Sequence, residues 1–296
     1  MYYNKNTTVF LDGQWLKAGN ANASLFNQTM HYGFGVFEGI RSYDTPDGVQ
    51  IFKAQEHYER LKYSAKKMHI NFNYSVQELT KLTYQLLEKN NLTDAYIRPL
   101  VYLGQNMRLS PTSEVHLFLC AWKWEKYLGS QLLSVITSSL QRPNPKSVPV
   151  DAKVTGHYAN SILATTEAQA KGFDEALLLD INGNVAEGSG ANFFYEKDGV
   201  LFTSPLGNIL PGITRQTTFE LAKELGVEVK ETHFKPEQVH HSDGAFFTGT
   251  ATEIAGIKSL DGISFKLPWE ETLGYQLSKM YTRRVSQNEY MHFELV

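Results

Sequence analysis

With one cysteine in 296 residues, the chain can form no intrachain disulfide. That cysteine, Cys120, lies in the apolar run from His116 to Trp122, where a small core side chain is the plain reading. A lone thiol fits a reducing compartment. No apolar stretch approaches the ~20 residues that a membrane-spanning helix needs. The segment from Met1 to Thr8 also lacks the apolar centre of a secretory signal. Lys and Arg form no block, and a net charge of −3 gives no general attraction for nucleic acid. Repeats and low-complexity tracts are missing too. These absences leave a cytoplasmic protein that binds neither membrane nor nucleic acid, and no metal is expected.

What remains is an ordinary globular composition, 42% hydrophobic and 20% charged, in a chain long enough for two domains. The first half opens with short strands at Thr8–Leu11 and Gln14–Leu16 across an Asp12-Gly13 turn, then at 40–43 and 49–52 across Thr45-Pro46-Asp47-Gly48. Tyr58, Leu61 and Ala65 share one face of a helix over 55–67. A second helix, 75–90, starts with Ser75 as N-cap and Glu78 three residues on, a capping box. Strands follow at 96–102 and 116–122. The pattern lapses around Tyr127–Gln131, which suggests a small domain of residues 1–128, a linker at 129–132 and a larger domain of 133–296.

The second half starts with a strand at 133–137 and a loop holding Pro143, Pro145 and Pro149. A helix over about 156–171 then stops at Gly172. Asn182-Gly183-Asn184 between apolar runs is a hairpin signal. Two further helices are expected after glycine loops, one from Pro211-Gly212-Ile213-Thr214 and one from Gly249-Thr250-Ala251, each with a Thr N-cap. Strands and helices mixed in both halves argue for two α/β or α+β domains.

Lys153 precedes the 156–171 helix, Tyr158 lies in its first turn, and Glu187 stands among glycines at a strand position that disfavours acids. An amine to hold an aldehyde and a carboxylate to keep a pyridine nitrogen protonated are the parts a pyridoxal phosphate site needs. The cofactor's phosphate would require helix N-termini, which Gly212-Ile213-Thr214 and Gly249-Thr250-Ala251 offer. Taken alone, each loop reads more readily as an ordinary cap, and Thr250 with Glu253 as a capping box. Arg60 would complete the phosphate site, although its helix position alone suggests a solvated charge. For Tyr158 the alternative is a buried structural phenol.

In combination, these segments resemble the branched-chain-amino-acid aminotransferases, within the fold-type IV pyridoxal phosphate enzymes. The likeness runs from about Val9 to Asp261. It rests on His31-Tyr32-Gly33-Phe34-Gly35-Val36-Phe37-Glu38-Gly39-Ile40-Arg41, His57-x-x-Arg60-Leu61 and Ala95-Tyr96-Ile97-Arg98-Pro99-Leu100. It continues through Ala152-Lys153, Gly156-x-Tyr158, Glu187-Gly188-x-Gly190-x-Asn192-x-Phe194, Leu210-Pro211-Gly212-Ile213-Thr214-Arg215 and Gly249-Thr250-Ala251-x-Glu253-Ile254. The chain departs from many bacterial relatives at His157, where they have Asn, and in Gln105–Pro111, which lacks the usual glycines.

The resemblance implies a smaller N-terminal α/β domain and a larger C-terminal one with pyridoxal 5'-phosphate at their interface. It implies Lys153 as covalent anchor and catalytic base, Glu187 on the pyridine nitrogen and Tyr158 on the phenolic oxygen. Arg60, Ile213, Thr214 and Thr250 would bind the phosphate, with Leu210 against the ring. Tyr96 and the Thr250-Ala251 backbone would receive the substrate α-carboxylate. Phe37, Trp124 and Tyr127 would wall an apolar pocket, and Arg98 would take the distal carboxylate of glutamate. Tyr32 and the Leu109 loop would come from the neighbouring subunit of a homodimer or higher oligomer. The implied reaction exchanges an amino group between leucine, isoleucine or valine and 2-oxoglutarate. Competing readings are a D-amino-acid aminotransferase, an aminodeoxychorismate lyase and a non-catalytic scaffold. The segments at 37–41 and 96–98 favour the branched-chain group.

Overall fold

The computed structural model describes residues 2–123 and 131–287. Trp124, Tyr127 and the first two residues of the expected linker, 129 and 130, lie outside them. The chain forms two compact units. The first takes the described residues up to Lys123 together with Ala152–His157; the second takes Gln131 to Asp151 and Tyr158 to Val285. The Lys153 segment thus belongs to the first unit, although it follows that unit in sequence.

The first unit contains β1 (Thr8–Leu11), β2 (Gln14–Lys17), α1 (Gln28–Tyr32), β3 (Val36–Phe37), β4 (Ile40–Thr45), β5 (Gly48–Ile51), α2 (Ala54–Lys67), α3 (Val76–Asn90), β6 (Ala95–Leu103) and β7 (Val115–Lys123). Among the described residues the strands make one seven-stranded antiparallel sheet, ordered β2-β1-β7-β6-β4-β5, with β3 also on β6. One face is closed by α2 and α3. Tyr58, Leu61, Leu79 and Leu86 are fully buried against Ile40, Ile97 and Leu119. Since burying such a side chain is worth ~1.5–3 kcal/mol, this shared face is what holds the two helices to the sheet. The Ser75–Glu78 capping box is present as expected, with Glu78 N donating to Ser75 Oγ at 3.1 Å.

The second unit contains β8 (Leu133–Gln141), α4 (Tyr158–Ala170), β9 (Glu175–Leu179), β10 (Val185–Gly188), β11 (Asn192–Lys197), β12 (Val200–Thr203), α5 (Ile213–Glu224), β13 (Val229–Glu231), α6 (Pro236–Val239), β14 (Gly244–Gly249), β15 (Glu253–Leu260), β16 (Ile263–Ser264) and α7 (Leu273–Ser286). Among the described residues its nine-stranded mixed sheet runs β10-β9-β8-β15-β14-β11-β12-β13, with β16 on β15 and β10 also on β11. Because β10 pairs with both β9 and β11, Glu187 sits where the sheet closes on itself. The sequence expectation fails at Thr250. No helix starts there; β14 turns directly into β15, and Glu253 takes a left-handed φ of 57°. Thr250…Glu253 meets the spacing rule of a capping box, but the following Ile254–Leu260 pairs with β14 and β8, and that pairing prevails.

Candidate active site

In the first unit the Lys153 loop is held by an isolated bridge to β3 and by two hydrogen bonds of the Lys153 backbone. Its neighbours Ala152 and Val154 are buried in the core, and Val154 bridges Val36. Lys153 N donates to Ser64 Oγ at 2.9 Å, and Lys153 O accepts from Phe37 N at 3.1 Å. With the backbone pinned on both sides, the side chain lies with Nζ 4.9 Å from the centre of the Phe37 ring. The Arg98 guanidinium carbon is 4.7 Å from the same centre and 5.3 Å from that of Tyr96. Cations this close to an aromatic ring are attracted by its quadrupole. Arg98 donates to the Tyr96 hydroxyl at 3.2 Å, and its buried Nε has no hydrogen-bond partner among the described residues. The Tyr96 hydroxyl occupies the space beside Gly39, since a Cβ there would lie 1.9 Å from it.

Glu38, between Phe37 and Gly39, points into the protein and is fully buried. Arg60 Nε donates to its Oε1 at 2.6 Å and Arg60 Nη2 to its Oε2 at 2.9 Å. His57 Nδ1 lies 2.8 Å from Oε2. Burial alone raises the Glu38 carboxyl, but the charge of Arg60 and the hydrogen bonds from Arg60 and His57 outweigh it, holding the group well below the usual carboxylate range. Burial pushes His57 down more than Glu38 pulls it up, so the imidazole is neutral. Against an acceptor-only carboxylate, its Nδ1 carries the proton. Arg60, read from its helix position as a solvated charge, is only 11% exposed. Sequence reasoning passed over Glu38, although an acid between Phe37 and Gly39 carries the signal that singled out Glu187. Cys120 also lies in this unit, its thiol pushed up to about 12 by burial despite nearby Arg98.

The α1 helix is capped by Asn27, whose Oδ1 accepts from Met30 N, and ends at Gly33 with φ 64°. A Cβ on Gly33 would come within 2.6 Å of Gly156 Cα, so the close approach of the two backbones requires glycine. Tyr32 and the Leu109 loop are tied together. Tyr32 donates to Met107 O at 3.2 Å, and Gln28 Nε2 donates to Arg108 O and Ser110 O. Leu25, Phe26, Met30, Tyr32, Met107 and Leu109 are all exposed on this surface, Leu109 by 92%.

In the second unit, Glu187 on β10 is buried. Arg142 Nε, just past β8, lies 2.9 Å from its Oε1 as an ion pair whose geometry does not make a hydrogen bond. Asn192 Nδ2 donates to Glu187 Oε2 and to Leu210 O, both at 2.9 Å, and Leu210 N donates back to the carboxylate at 3.2 Å. Glu187 pairs with Asn192 across β10 and β11, and Asn192 with Thr248 across β11 and β14. Directly paired residues share a face, so the three form a row. Thr248 Oγ1 is buried and lacks a hydrogen-bond partner among the described residues. The buried Glu175, on β9, accepts from Ser189 Oγ at 2.7 Å, steadying the turn after Glu187.

The Leu210 loop runs into α5, whose N-cap is Gly212 with no side-chain cap, leaving the first-turn N–H groups of Ile213 and Thr214 to other acceptors. A Cβ on Gly212 would lie 2.0 Å from Asn192 Oδ1. Thr250 and Ala251 occupy the β14–β15 turn, and Tyr158 is the half-buried first residue of α4. Thus Lys153, Phe37, Tyr96 and Arg98 converge in one unit, and Glu187 and Leu210 in the other. Sequence reasoning missed Arg142, for which no local pattern exists.

The second unit offers a buried strand acid, an uncapped helix start and, in the acid's row, a buried hydroxyl without a hydrogen-bond partner among the described residues; the first unit offers an amine. These are the kinds of group that a phosphorylated pyridine aldehyde needs. The class of protein follows from comparison. Residues 35–260 match the amino-transferase class IV family, and the chain belongs to it. Within that class it is 40% identical to the branched-chain-amino-acid aminotransferase of Pseudomonas aeruginosa over 98% of this chain and 96% of the relative. The crystal structure of a branched-chain aminotransferase from Thermoproteus uzoniensis with norvaline superposes with a TM-score of 0.91 at 36% identity, covering 94% of each chain. The branched-chain amino acid aminotransferase of Thermobaculum terrenum, in its PLP-bound holo form, gives 0.89 at 31% identity over 95% of each chain. The class IV, two-domain reading of the sequence holds. No helix of the described residues is long and apolar enough to cross a membrane.

Proposed function

We propose that the chain is a pyridoxal phosphate-dependent transaminase that moves the amino group between leucine, isoleucine or valine and 2-oxoglutarate. The observation that carries this reading is the Phe37 ring, with the Lys153 amine 4.9 Å and the Arg98 guanidinium 4.7 Å from its centre. One aromatic surface thus serves an apolar substrate side chain, next to a nucleophilic amine and a cation suited to a second carboxylate. A pocket that alternates between leucine and glutamate needs that combination.

When bound, pyridoxal phosphate supplies an aldehyde for the amino group and a ring that accepts the electron pair left when Cα–H breaks. Lys153 holds the cofactor through its amine. With its amine free, Lys153 would be the base that takes the Cα proton and returns one on the other side of the reaction. Glu187, in contact with Arg142, Asn192 and Leu210 N, would hold a proton on the ring nitrogen. Tyr158 would meet the phenolic oxygen, and Leu210 would lie against the ring. Arg60, Ile213, Thr214 and Thr250 bind the phosphate, Ile213 and Thr214 through uncapped helix N–H groups. With no helix at Thr250, that residue contributes its turn and hydroxyl, not a helix dipole. Tyr96 and the Thr250-Ala251 backbone receive the α-carboxylate, Arg98 the distal one, and Trp124 and Tyr127 complete the pocket wall.

The exposed apolar surface of α1 and the Leu109 loop fits a homodimer in which Tyr32 reaches the neighbouring subunit, because a patch of this kind marks an interface. The single thiol accords with a cytoplasmic enzyme. The decisive experiment is Lys153→Ala. We expect L-leucine:2-oxoglutarate exchange to fall by roughly 10⁴-fold or more while pyridoxal phosphate still binds. Near-normal exchange would reject the assignment. A wild-type preference for D-alanine over L-leucine would move the protein to another branch of the class.

A further inference from the structure

We infer that Glu38, backed by His57, is a positioning residue that aims the Arg60 guanidinium, so that Arg60 meets the phosphate as a set of oriented donors and not as a net positive charge. The inference rests on the reading of Arg60 as a phosphate ligand and extends it to two side chains outside that reading.

The geometry is specific. His57 and Arg60 are three residues apart on α2, hence on one helix face, and both reach the carboxylate of Glu38 between β3 and β4. Arg60 uses Nε and Nη2 on the two carboxylate oxygens, a forked pairing that fixes the guanidinium plane. His57 Nδ1 and Gly39 N, at 2.8 and 3.2 Å, hold Oε2 from other directions, so the carboxylate cannot turn to follow the arginine. The helix orients the arginine's stem while the strand orients its head.

The charges make the same point. Glu38 is an anion, Arg60 a cation and His57 neutral, so the cluster as a whole carries no net charge. A buried pair of this kind is often no more stable than apolar residues of similar volume, so stability alone is a poor account of it. What it does supply is a guanidinium whose Nε and Nη2 are held on Glu38 and whose plane is set. A binding site that needs direction gains from Glu38; one that needs only positive charge is weakened by it.

The two alternatives predict opposite signs for Glu38→Gln. The experiment measures dissociation constants of pyridoxal phosphate and of unphosphorylated pyridoxal for the full chain freed of cofactor by dialysis. It compares wild type, Glu38→Gln, Arg60→Gln and the double variant, with circular dichroism to verify folding. We expect Glu38→Gln to weaken pyridoxal phosphate about 10-fold and to leave pyridoxal within about 2-fold, with no further loss in the Arg60→Gln background. Tighter or unchanged phosphate binding in Glu38→Gln, or equal losses for both ligands, would overturn the role. If Arg60→Gln itself binds the phosphorylated ligand normally, the phosphate reading of Arg60 falls and takes this role with it. A loss in Arg60→Gln with none in Glu38→Gln removes the positioning role alone. Should Glu38→Gln fail to fold, His57→Phe removes one support and leaves the ion pair. It should lower affinity for the phosphorylated ligand about 3-fold and spare pyridoxal, and an unchanged ratio would count against the proposal.

Discussion

Each unit buries one glutamate against one arginine, and the two pairs are built differently. Glu38 is held by two residues of a single helix, His57 and Arg60, with both carboxylate oxygens in hydrogen bonds to the guanidinium. Glu187 is held by three separate segments: Arg142 past β8, Asn192 on β11 and Leu210 in the loop before α5. The first arrangement fixes one side chain. The second gathers a sheet edge and a loop around one acid, so disturbing it moves backbone. A helix-borne pair therefore suits the aiming of a donor, whereas a pair shared among segments suits the shaping of a cavity wall.

The largest test of that contrast is Arg142→Met. Removing one partner of a buried pair leaves an uncompensated charge and costs ~3–5 kcal/mol. Because Arg142 touches only one of the segments that converge on Glu187, the loss should appear as a lower urea midpoint with the fold retained. A loss below about 1 kcal/mol would mean that Asn192 and Leu210 N suffice for Glu187, and the two glutamates would then differ less than their geometry suggests.

Gly212→Ala comes next. The backbone at Gly212, φ −71° and ψ 135°, is open to any residue, so strain is not at issue. The added Cβ would lie 2.0 Å from Asn192 Oδ1. Asn192 can turn away only by giving up its hydrogen bonds to Glu187 and Leu210 O. Leaving those acceptors unmet costs ~1–3 kcal/mol. Thermal unfolding would measure it, and the paired variant Asn192→Ala/Gly212→Ala should recover part of the loss over Asn192→Ala alone. If Gly212→Ala is as stable as wild type, Asn192 does not link strand to loop.

Local rules were legible wherever a short pattern settles structure. The Ser75–Glu78 box, the Asn182-Gly183 turn and the stop at Gly172 all follow from adjacent residues. The same rule misled at Thr250, because a cap's spacing says nothing about whether the downstream segment will find a sheet partner, and Ile254–Leu260 finds two. The site divides along the same line. Lys153 and Glu187 stood out by their neighbours. Arg142 is 45 positions from Glu187 in sequence, and its partner is set by the sheet order, in which β9 lies between β8 and the β10 that carries Glu187. Glu38 was visible in principle, as an acid among Val36, Phe37 and Ile40, yet nothing nearby in sequence says that His57 and Arg60 will meet it.

The smallest effect concerns a third charged cluster in the first unit, and it separates a solvated group from the buried pairs. His116 Nδ1 lies 2.5 Å from Asp12 Oδ2 and His116 Nε2 lies 3.0 Å from Glu114 Oε1, with the ring stacked on Tyr102. Partial burial lowers the imidazole, but the hydrogen bonds and charges of Asp12 and Glu114 outweigh it, and the net shift is upward from 6.5. A group raised on folding stabilises fully below its unfolded value, and the benefit is lost as pH rises through the folded value. His116→Gln should therefore lower the unfolding midpoint at pH 6 and matter progressively less above pH 7. The Glu38 pair behaves oppositely: its carboxyl is depressed, so its contribution is intact at neutral pH and fades only in acid. A His116→Gln difference that stays constant from about pH 6 to pH 9 would mean the ring contributes by stacking on Tyr102 and not by its charge.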